Sequence, residues 1–303
     1  MRFERLNVSA WGILFAAIVV LAAPAAGNGS SGVAITQCGQ TVTTSAFLTQ
    51  DLLCTGDGVI VGASKITIDL GGFTLRGDGG APDSGIVDSG FDGIKVEDGV
   101  VRNFGFGLAF DGADNVKVAS VVVSGANTGI YVNGDSASIT SSTASGNGFM
   151  GVQVLSASAS IMSSTASGNL VNGFDVEGSS TAIKSSTASG NGNIGFYLHG
   201  PSDSSSASSS TASVNGLSGF EIYGNSVSLK SSVASGNVTR GIFLQGDGAI
   251  VTGNRTDANG FKTGASDDVG LGINVNGFTT PPRGKNAALG NDNSAECVPA
   301  PLC

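Results

Sequence analysis

The heptapeptide SSTASGN occupies residues 141–147 and recurs at residues 163–169 and 185–191. Altered copies follow as SSTASVN from Ser209 and SSVASGN from Ser231. Segments rich in Ser and Gly are typical of flexible linkers as well as of structural repeats. The spacing of the motifs between these copies distinguishes the two interpretations.

A second motif, a glycine followed by alternating apolar residues, follows each copy in the sequence. It begins at Gly85, Gly107, Gly129, Gly151, Gly173, Gly195, Gly219, Gly241 and Gly272, so the spacing is 22 residues apart from two longer steps of 24 and 31 residues. A linker keeps no such period, and a period of 22 residues is too short for helix-pair repeats. The alternation instead predicts one coil of strands and turns per repeat, with parallel strands of successive coils about 4.8 Å apart.

Composition agrees with an all-β parallel β-helix of about ten coils. The chain has 303 residues, 48 of them Gly, and only 12% are charged, so large apolar residues are too few for a conventional globular core. A solenoid needs only a narrow column of small apolar side chains. We expect an N-terminal cap and first coil over residues 26–80, repeats over 81–280 and a C-terminal cap over 281–303.

One asparagine of each repeat should fall at the same turn of the coil. Stacked there, these side chains could hydrogen-bond from coil to coil as a ladder. The predicted ladder residues are Asn147, Asn169, Asn191, Asn215, Asn237 and Asn259.

The N-terminal segment MRFERLNVSAWGILFAAIVVLAAPAAG has the pattern of a secretory signal. Two arginines precede an apolar run, and Ala23-Pro24-Ala25 fits a small-residue cleavage site. We therefore expect residues 1–25 to be a signal peptide and the mature protein to be secreted, extracellular or periplasmic, with no membrane span. An uncleaved anchor over residues 10–26 is the alternative. The net charge of −9 and the lack of a basic stripe argue against nucleic acid as a partner.

The four cysteines lie outside the repeats, Cys38 and Cys54 before them and Cys297 and Cys303 after them. Export favours disulfides, and pairing within each local pair is one of three connectivities. It would suit the caps that cover the end layers of a solenoid. Neither pair has C-x-x-C spacing, which disfavours a metal site.

The chain resembles a known family over residues 34–303. The resemblance lies in CGQTVTTSAFLTQDLLCTGDGVIVGASKITIDLGGFTLRG (38–77), in the glycine motifs, and in NAALGNDNSAEC (286–297). Together they resemble secreted bacterial right-handed parallel β-helix repeat proteins of the pectate-lyase-like superfamily. That superfamily includes lyases, glycoside hydrolases, epimerases and adhesins, so the resemblance implies a right-handed fold without choosing a function. The G-H-G and R-I-K motifs of polygalacturonases and the W-x-D-H motif of pectate lyases are missing.

Alternation after each glycine places every second side chain outside the coil, in two outward columns. The predicted inward residues include Val152, Val154, Phe174, Val176, Phe196 and Leu198. One outward column contains Ala109, Tyr131, Gln153, Asp175, Tyr197, Glu221, Phe243 and Asn274. The other contains Asp111, Asn133, Leu155, Glu177, His199, Tyr223, Gln245 and Asn276. These columns hold all three tyrosines and the only histidine, whereas the repeated Thr-x-Ser strand exposes little but Thr and Ser.

Rings beside acids and amides are typical of a groove for extended glycan, such as an extracellular polysaccharide or a cell-surface glycan. The alternative is a mixed, solvated strand face. The predicted binding residues are Tyr131, Gln153, Glu177, Tyr223, Phe243 and Gln245. The insertion GPSDSSSASSS directly after His199 would form one wall of the groove.

Four outward residues are candidate catalytic groups: Asp175, Tyr197, His199 and Glu221. Asp175 and Glu221 would lie two coils apart, roughly 9.6 Å, near the upper limit for a carboxylate pair that inverts a glycosidic bond. A lyase or epimerase would instead use His199 or a tyrosinate at Tyr197 to remove a proton. No metal site is assigned, although Ca²⁺ held by Asp175, Glu177 and Glu221 is a cofactor hypothesis.

Two functions without catalysis stay open. A non-catalytic structural or adhesive surface protein would use the coils as a stiff spacer. Ice binding by the flat Thr-x-Ser face is a third hypothesis, although Val233 and Asp257 break its pattern.

Overall fold

A computed structural model describes residues 32–79, 82–260, 273–276, 286–289 and 297–298. These residues form 32 strands joined by turns, with no helix in the described part, and every strand pairing is parallel. The strands, numbered in chain order, form a 12-stranded sheet and a 20-stranded sheet, called sheet 1 and sheet 2.

Sheet 1 contains one short strand from each coil. Its members are β2 (Gln40–Val42), β5 (Val59–Val61), β8 (Ser84–Asp88), β10 (Phe106–Asp111), β12 (Thr128–Asn133), β15 (Val152–Leu155), β18 (Phe174–Glu177), β21 (Phe196–His199), β24 (Phe220–Tyr223), β27 (Ile242–Gln245), β30 (Ile273–Asn276) and β32 (Cys297–Val298). Ten of these strands lie between Gln40 and Gln245, which confirms the prediction of about ten coils.

Sheet 2 consists of two stacks joined by the long strands β9 (Lys95–Arg102) and β11 (Lys117–Ser124), which belong to both. Stack 2a contains β1 (Val33–Ile35), β3 (Ala46–Leu48), β6 (Thr67–Asp69), β13 (Ser138–Thr140), β16 (Ser160–Met162), β19 (Ala182–Lys184), β22 (Ser206–Ser208), β25 (Ser228–Lys230) and β28 (Ile250–Thr252). Stack 2b contains β4 (Leu52–Cys54), β7 (Thr74–Gly77), β14 (Thr143–Ser145), β17 (Thr165–Ser167), β20 (Thr187–Ser189), β23 (Thr211–Ser213), β26 (Val233–Ser235), β29 (Arg255–Asp257) and β31 (Ala287–Leu289). A typical coil thus has three strands, and stack 2a was not anticipated from the repeat motifs.

The column interior is filled as the alternation predicts. All six predicted inward residues from Val152 to Leu198 are at most 1% exposed. Phe174, Phe196 and Phe220 form a stack of nearly parallel rings inside the coils, with centroids 4.9 and 4.8 Å apart. Burial of these large apolar rings adds to the stability that the buried Val, Ile, Leu and Ala side chains of the column provide.

The asparagine ladder is confirmed along the turn between stack 2b and sheet 1. The Asn147 side-chain amide donates to Asn169 Oδ1 over 2.9 Å, and the pattern continues to Asn237 and Asn259 over 2.8 Å. The glycines that open the sheet 1 strands from Gly129 to Gly219 make room for it. A Cβ on Gly173 would lie 2.8 Å from Asn191 Nδ2, closer than atoms can pack.

Two further ladders bind backbone amides to side chains of neighbouring coils. In the first, the Ser142 amide donates to Ser164 Oγ and the Ser164 amide to Ser186 Oγ. In the second, which is exposed, the Asp135 amide donates to Asp114 Oδ1 over 2.7 Å and the Asp114 amide to Asp92 Oδ1 over 3.0 Å. Part of the acidic charge therefore has a structural role.

The chain ends are only partly described. Cys38 and Cys54 form a disulfide with their Cα atoms 5.5 Å apart, which confirms the N-terminal pairing. The predicted Cys297–Cys303 pair and the signal peptide over residues 1–25 lie outside the residues whose side chains are described. Strands β1–β7 show that parallel stacking already exists within residues 33–77. Within the described ranges, no helix is long and apolar enough to cross a membrane.

Candidate functional site

The outer face of sheet 1 carries the two predicted columns in register. Strand pairing aligns Gln153 with Asp175, Asp175 with Tyr197, and Tyr197 with Glu221. In the second column Glu177 aligns with His199. The pairing of β21 with β24 covers three positions, Phe196 to Leu198, and does not extend to His199, next to which Gly200 adopts a φ of +70°. In the 24-residue repeat, the chain therefore turns away from sheet 1 directly after His199.

A buried carboxylate holds the only histidine. Asp175 Oδ1 lies 2.9 Å from His199 Nε2, and Asn172 Nδ2 donates to Asp175 Oδ2 over 2.6 Å. Asn172 Oδ1 in turn accepts the Ile194 backbone amide over 3.2 Å. The Asp175 carboxylate is thus held from both sides. Because His199 contacts it through Nε2, His199 Nδ1 makes no hydrogen bond among the described residues.

Aromatic rings lie on the same side as the histidine. The Tyr197 ring stacks on the imidazole with centroids 4.4 Å apart and an interplanar angle of 18°. Tyr223 meets Tyr197 edge-on at 5.9 Å. Because Tyr197 and His199 are only partly buried, they form an accessible ring surface beside a polar group, which suits the apolar face and hydroxyls of a sugar.

Glu221 is connected to the opposite end of this ring cluster. The Tyr223 hydroxyl donates to Glu221 Oε2 over 3.3 Å, and Arg240 Nη1 lies 3.9 Å from Glu221 Oε1. The Arg240 guanidinium also covers the Phe243 ring at 4.5 Å from its centroid. These contacts place a cation beside the carboxylate and next to the rings.

The surroundings shift the pKa values of the three ring residues upward. The hydrogen bond to Asp175 raises the pKa of His199 and favours imidazolium, against the opposing effect of burial. Burial, followed by the charges of Asp175 and Glu221, raises the pKa of Tyr197. Burial and the nearby Glu221 raise the pKa of Tyr223 to about 12. Both tyrosines are therefore neutral near pH 7, which disfavours the predicted tyrosinate base at Tyr197.

Burial changes the expected role of Asp175. It faces outward from the strand as the register requires, yet it is only 3% exposed, because the side chains of Asn172 and His199 cover it. Its two oxygens are already occupied by these partners. The Asp175–Glu221 pair therefore offers no free carboxylate at the Asp175 end, and Asp175 is suited to positioning His199.

The other predicted binding residues are distributed along the same face. Gln153 is half-buried, and Glu177 and Gln245 are exposed. Tyr131 lies two coils before Asp175 and packs against Phe106, with ring centroids 5.8 Å apart. Phe243 was expected to present its ring to ligand, but it is only 6% exposed beneath Arg240 and Tyr223. It supports the site and does not line its surface.

The calcium hypothesis gains no geometric support. Among the described residues, no group of three His, Cys, Asp or Glu side chains is arranged to hold a metal ion. Asp175 is occupied by its two partners, Asn172 and His199. Asp175, Glu177 and Glu221 thus do not form a cation site.

The insertion after His199 folds back under the site. Ser202 is fully buried, and its Oγ donates to the His199 carbonyl over 2.5 Å. Asn172 and Ser202 were missed by sequence reasoning, and Arg240 was not assigned to the site. Asn172 and Arg240 occupy the position directly before the sheet 1 glycine, where the neighbouring repeats carry Met150, Ile194 and Ser218, so the change of residue type there was the available signal.

Comparison with known proteins identifies the fold. The family model described as "Right handed beta helix region" matches residues 106–257. The mannuronan C-5 epimerase AlgE4 A-module of Azotobacter vinelandii superposes with a TM-score of 0.66 at 14% identity, covering 84% of this chain and 87% of that one. The Agl-KA catalytic domain gives 0.65 at 9% identity, covering 87% of this chain and 58% of that one.

A third similar structure is the DFA-IIIase of Arthrobacter chlorophenolicus A6 in complex with GF2. Its TM-score is 0.52 at 15% identity, and the match covers 83% of this chain and 73% of that one. At such identities these likenesses show the fold alone. No curated protein sequence is significantly similar to this chain.

Proposed function

The chain belongs to the right-handed β-helix family, and from this premise we propose that it binds extracellular polysaccharide on the outer face of sheet 1 and transforms it by proton transfer at His199. We include export in the proposal, because the first 25 residues have the pattern of a signal peptide. The mannuronan epimerase among the similar structures, named for action on a polysaccharide, supports the substrate class.

The observation that carries the proposal is the chain of contacts from Asn172 through Asp175 to His199. Burying a carboxylate is costly unless it is hydrogen-bonded and paired with a charge. Here it is held from both sides and contacts the only imidazole of the protein, on a face that also presents accessible rings. A carboxylate that binds one nitrogen of an imidazole orients the ring and leaves the other nitrogen available to accept or donate a proton. This arrangement is typical of acid–base catalysis.

Each residue of the cluster then has a defined role. Asp175 holds Nε2 of His199, so that Nδ1 exchanges the proton with the sugar. Tyr197 stacks on the imidazole and contacts the sugar ring with its remaining edge and its neutral hydroxyl. Glu221, held by Tyr223 and Arg240, receives hydroxyl groups of the neighbouring sugar unit.

Among the reactions open to this fold, proton abstraction by a lyase or epimerase fits better than hydrolysis. Inverting hydrolysis needs two available carboxyl groups, and Asp175 is covered on both oxygens. Proton abstraction beside a uronate carboxyl group needs a base, a nearby positive charge, and an acid that protonates the leaving oxygen in a lyase or returns a proton to C-5 in an epimerase. His199 supplies the base, Arg240 is the cation next to the ring cluster, and the neutral hydroxyl of Tyr197 supplies the proton.

A panel of neutral and acidic polysaccharides tests the proposal. Each is incubated with the native protein, and three readouts separate the reactions: ultraviolet absorbance for unsaturated products, proton NMR for inversion at C-5, and new reducing ends for hydrolysis. We expect His199→Gln to lower turnover by about 10² to 10⁴, while Ser167→Ala on stack 2b leaves it unchanged.

Asp175→Asn provides a second, independent readout. Removal of the carboxylate lowers the pKa of His199, so the activity of a histidine base should rise at a lower pH than in the native protein. Retention of a glycan without any product would remove catalysis from the proposal and leave a binding or adhesive protein. The absence of both retention and product would favour the structural alternative. N-terminal sequencing of the mature protein tests export, with a start near Ala26 expected.

A further inference from the structure

Two arginines stand in register on the outer face of sheet 2, near the N-terminal end. Strand pairing aligns Arg76 of β7 with Arg102 of β9, and Leu53 of β4 with Arg76. Neighbouring parallel strands are about 4.8 Å apart, so the two side chains leave adjacent backbones in the same direction. Both arginines are exposed, and Leu53 is 70% exposed.

Neither guanidinium has an ion-pair partner among the described residues. The described ion pairs of Lys95, His199, Arg240 and Arg255 each join a cation to a carboxylate, whereas Arg76 and Arg102 have no carboxylate within 4.0 Å. Like charges directly opposite each other on neighbouring strands are destabilising. In a chain of net charge −9, two adjacent cations that remain unpaired call for an external anion.

The arginines share an open pocket of about 210 Å³ with Asp51, Leu52, Leu53 and Thr74. Asp51 Oδ1 accepts the Thr74 backbone amide over 2.7 Å, which fixes the carboxylate at the pocket wall. The pocket thus combines two planar cations, the Asp51 carboxylate, which offsets one of the two positive charges and can accept a hydrogen bond, and an exposed leucine. A bare inorganic anion would use only the cations, whereas a charged sugar would also use the acceptor for a hydroxyl group and the leucine for its apolar face.

We propose that Arg76 and Arg102 form a binding site for an oxyanion-bearing saccharide, whose carboxylate or sulfate bridges the two guanidinium groups. Guanidinium groups bind such oxyanions through paired, charge-assisted hydrogen bonds. The site is separate from the His199 cluster. It lies on the other sheet and in earlier coils. Arg102 is in β9, and the next sheet 1 strand, β10, lies three coils before β18, the strand that carries Asp175. It would anchor an acidic glycan at a second point of the solenoid.

Binding of short oligosaccharides to the native protein tests this site. The probes are an oligogalacturonate, a sulfated dextran oligomer and neutral dextran of matched length, measured by calorimetry at low and moderate salt. We expect one or both acidic probes to bind, neutral dextran not to bind at this site, and affinity to fall as salt rises. The preference between the two acidic probes distinguishes carboxylate from sulfate.

The double variant Arg76→Gln/Arg102→Gln should lower acidic-probe affinity by about tenfold or more. Arg255→Gln is the matched control, because Arg255 is an exposed arginine of the same stack that is paired with Asp257. The double variant should unfold at the same or a higher temperature than the native protein, since it removes a like-charge contact. Equal affinity in the double variant and the control, or no acidic probe bound by the native protein, would overturn the proposal. The double variant should leave turnover at the His199 cluster unchanged, so failure of this proposal and failure of the catalytic proposal are distinguishable.

Discussion

The outer faces of sheet 1 and stack 2b are built on the same coils and in the same register, yet their side chains differ completely. Over β14, β17, β20 and β23, stack 2b repeats Thr and Ser at aligned positions. Over β15 to β27, sheet 1 changes residue type at every coil and gathers an imidazole, rings and carboxylates. The plain face shows what the backbone alone requires. The variation on sheet 1 is therefore not needed for stacking, which is the physical reason for assigning function there.

The largest expected effect comes from the interior beneath sheet 1. Phe196→Asp places an unpaired charge between Phe174 and Phe220, whose rings lie 4.9 and 4.8 Å from it, so the protein should unfold or aggregate. Gln245→Asp on the outer face of the same sheet, where the exposed residue is aligned with Tyr223 and no carboxylate, should change the melting temperature little. Equal effects of the two substitutions would show that the inward and outward assignment is reversed or absent.

The next effect concerns the ladder that both faces share. Asn191 Nδ2 donates to Asn215 Oδ1 and the Ala166 carbonyl, and its Oδ1 accepts from Asn169. Asn191→Ala removes the acceptor of the buried backbone and side-chain amides of Asn169, at a cost of about 1 to 3 kcal/mol for each unsatisfied group. Asn193→Ala, two residues away, is the control, since the Asn193 side chain makes no hydrogen bond among the described residues. Urea denaturation should separate the two variants; similar midpoints would mean that the ladder contributes little.

The smallest effect is the pH dependence of the Asp175–His199 contact. The pKa of His199 is raised in the folded protein, so protonated histidine is stabilised there. This contribution is fully present below the unfolded pKa of about 6.5 and is lost as the pH rises through the folded value. The melting-temperature difference between the native protein and His199→Gln should therefore be larger at pH 5.5 than at pH 8.5. A difference independent of pH would contradict the ion pair.

The comparison also explains how far the sequence could predict this protein. The period of 22 residues and the alternation after each glycine were sufficient for sheet 1, stack 2b and the asparagine ladder, because these features repeat. Stack 2a was missed because its three-residue strands, such as Ser138–Thr140 and Ala182–Lys184, do not repeat one sequence as the Thr-Ala-Ser strands of stack 2b do.

The candidate site was predictable only in part. The register brought Asp175, Tyr197, His199 and Glu221 to one face, since each step of 22 or 24 residues returns the chain to the same position. The burial of Asp175 and Phe243 was not predictable, because each is covered by one side chain from the turn before its own strand, Asn172 or Arg240, and by one from a neighbouring repeat, His199 or Tyr223. A repeat motif gives the direction of a side chain but not what covers it.

The most direct test of the central claim is glycan retention by variants of the two faces. Affinity electrophoresis in gels containing each responsive polysaccharide would compare the native protein with Tyr197→Ala on sheet 1 and Ser167→Ala on stack 2b. We expect Tyr197→Ala to weaken retention by about 1 to 3 kcal/mol, as loss of a stacked aromatic contact does, and Ser167→Ala to match the native protein. Equal losses in both variants, or no retention of the native protein by any polysaccharide, would contradict the assignment of the binding face to sheet 1.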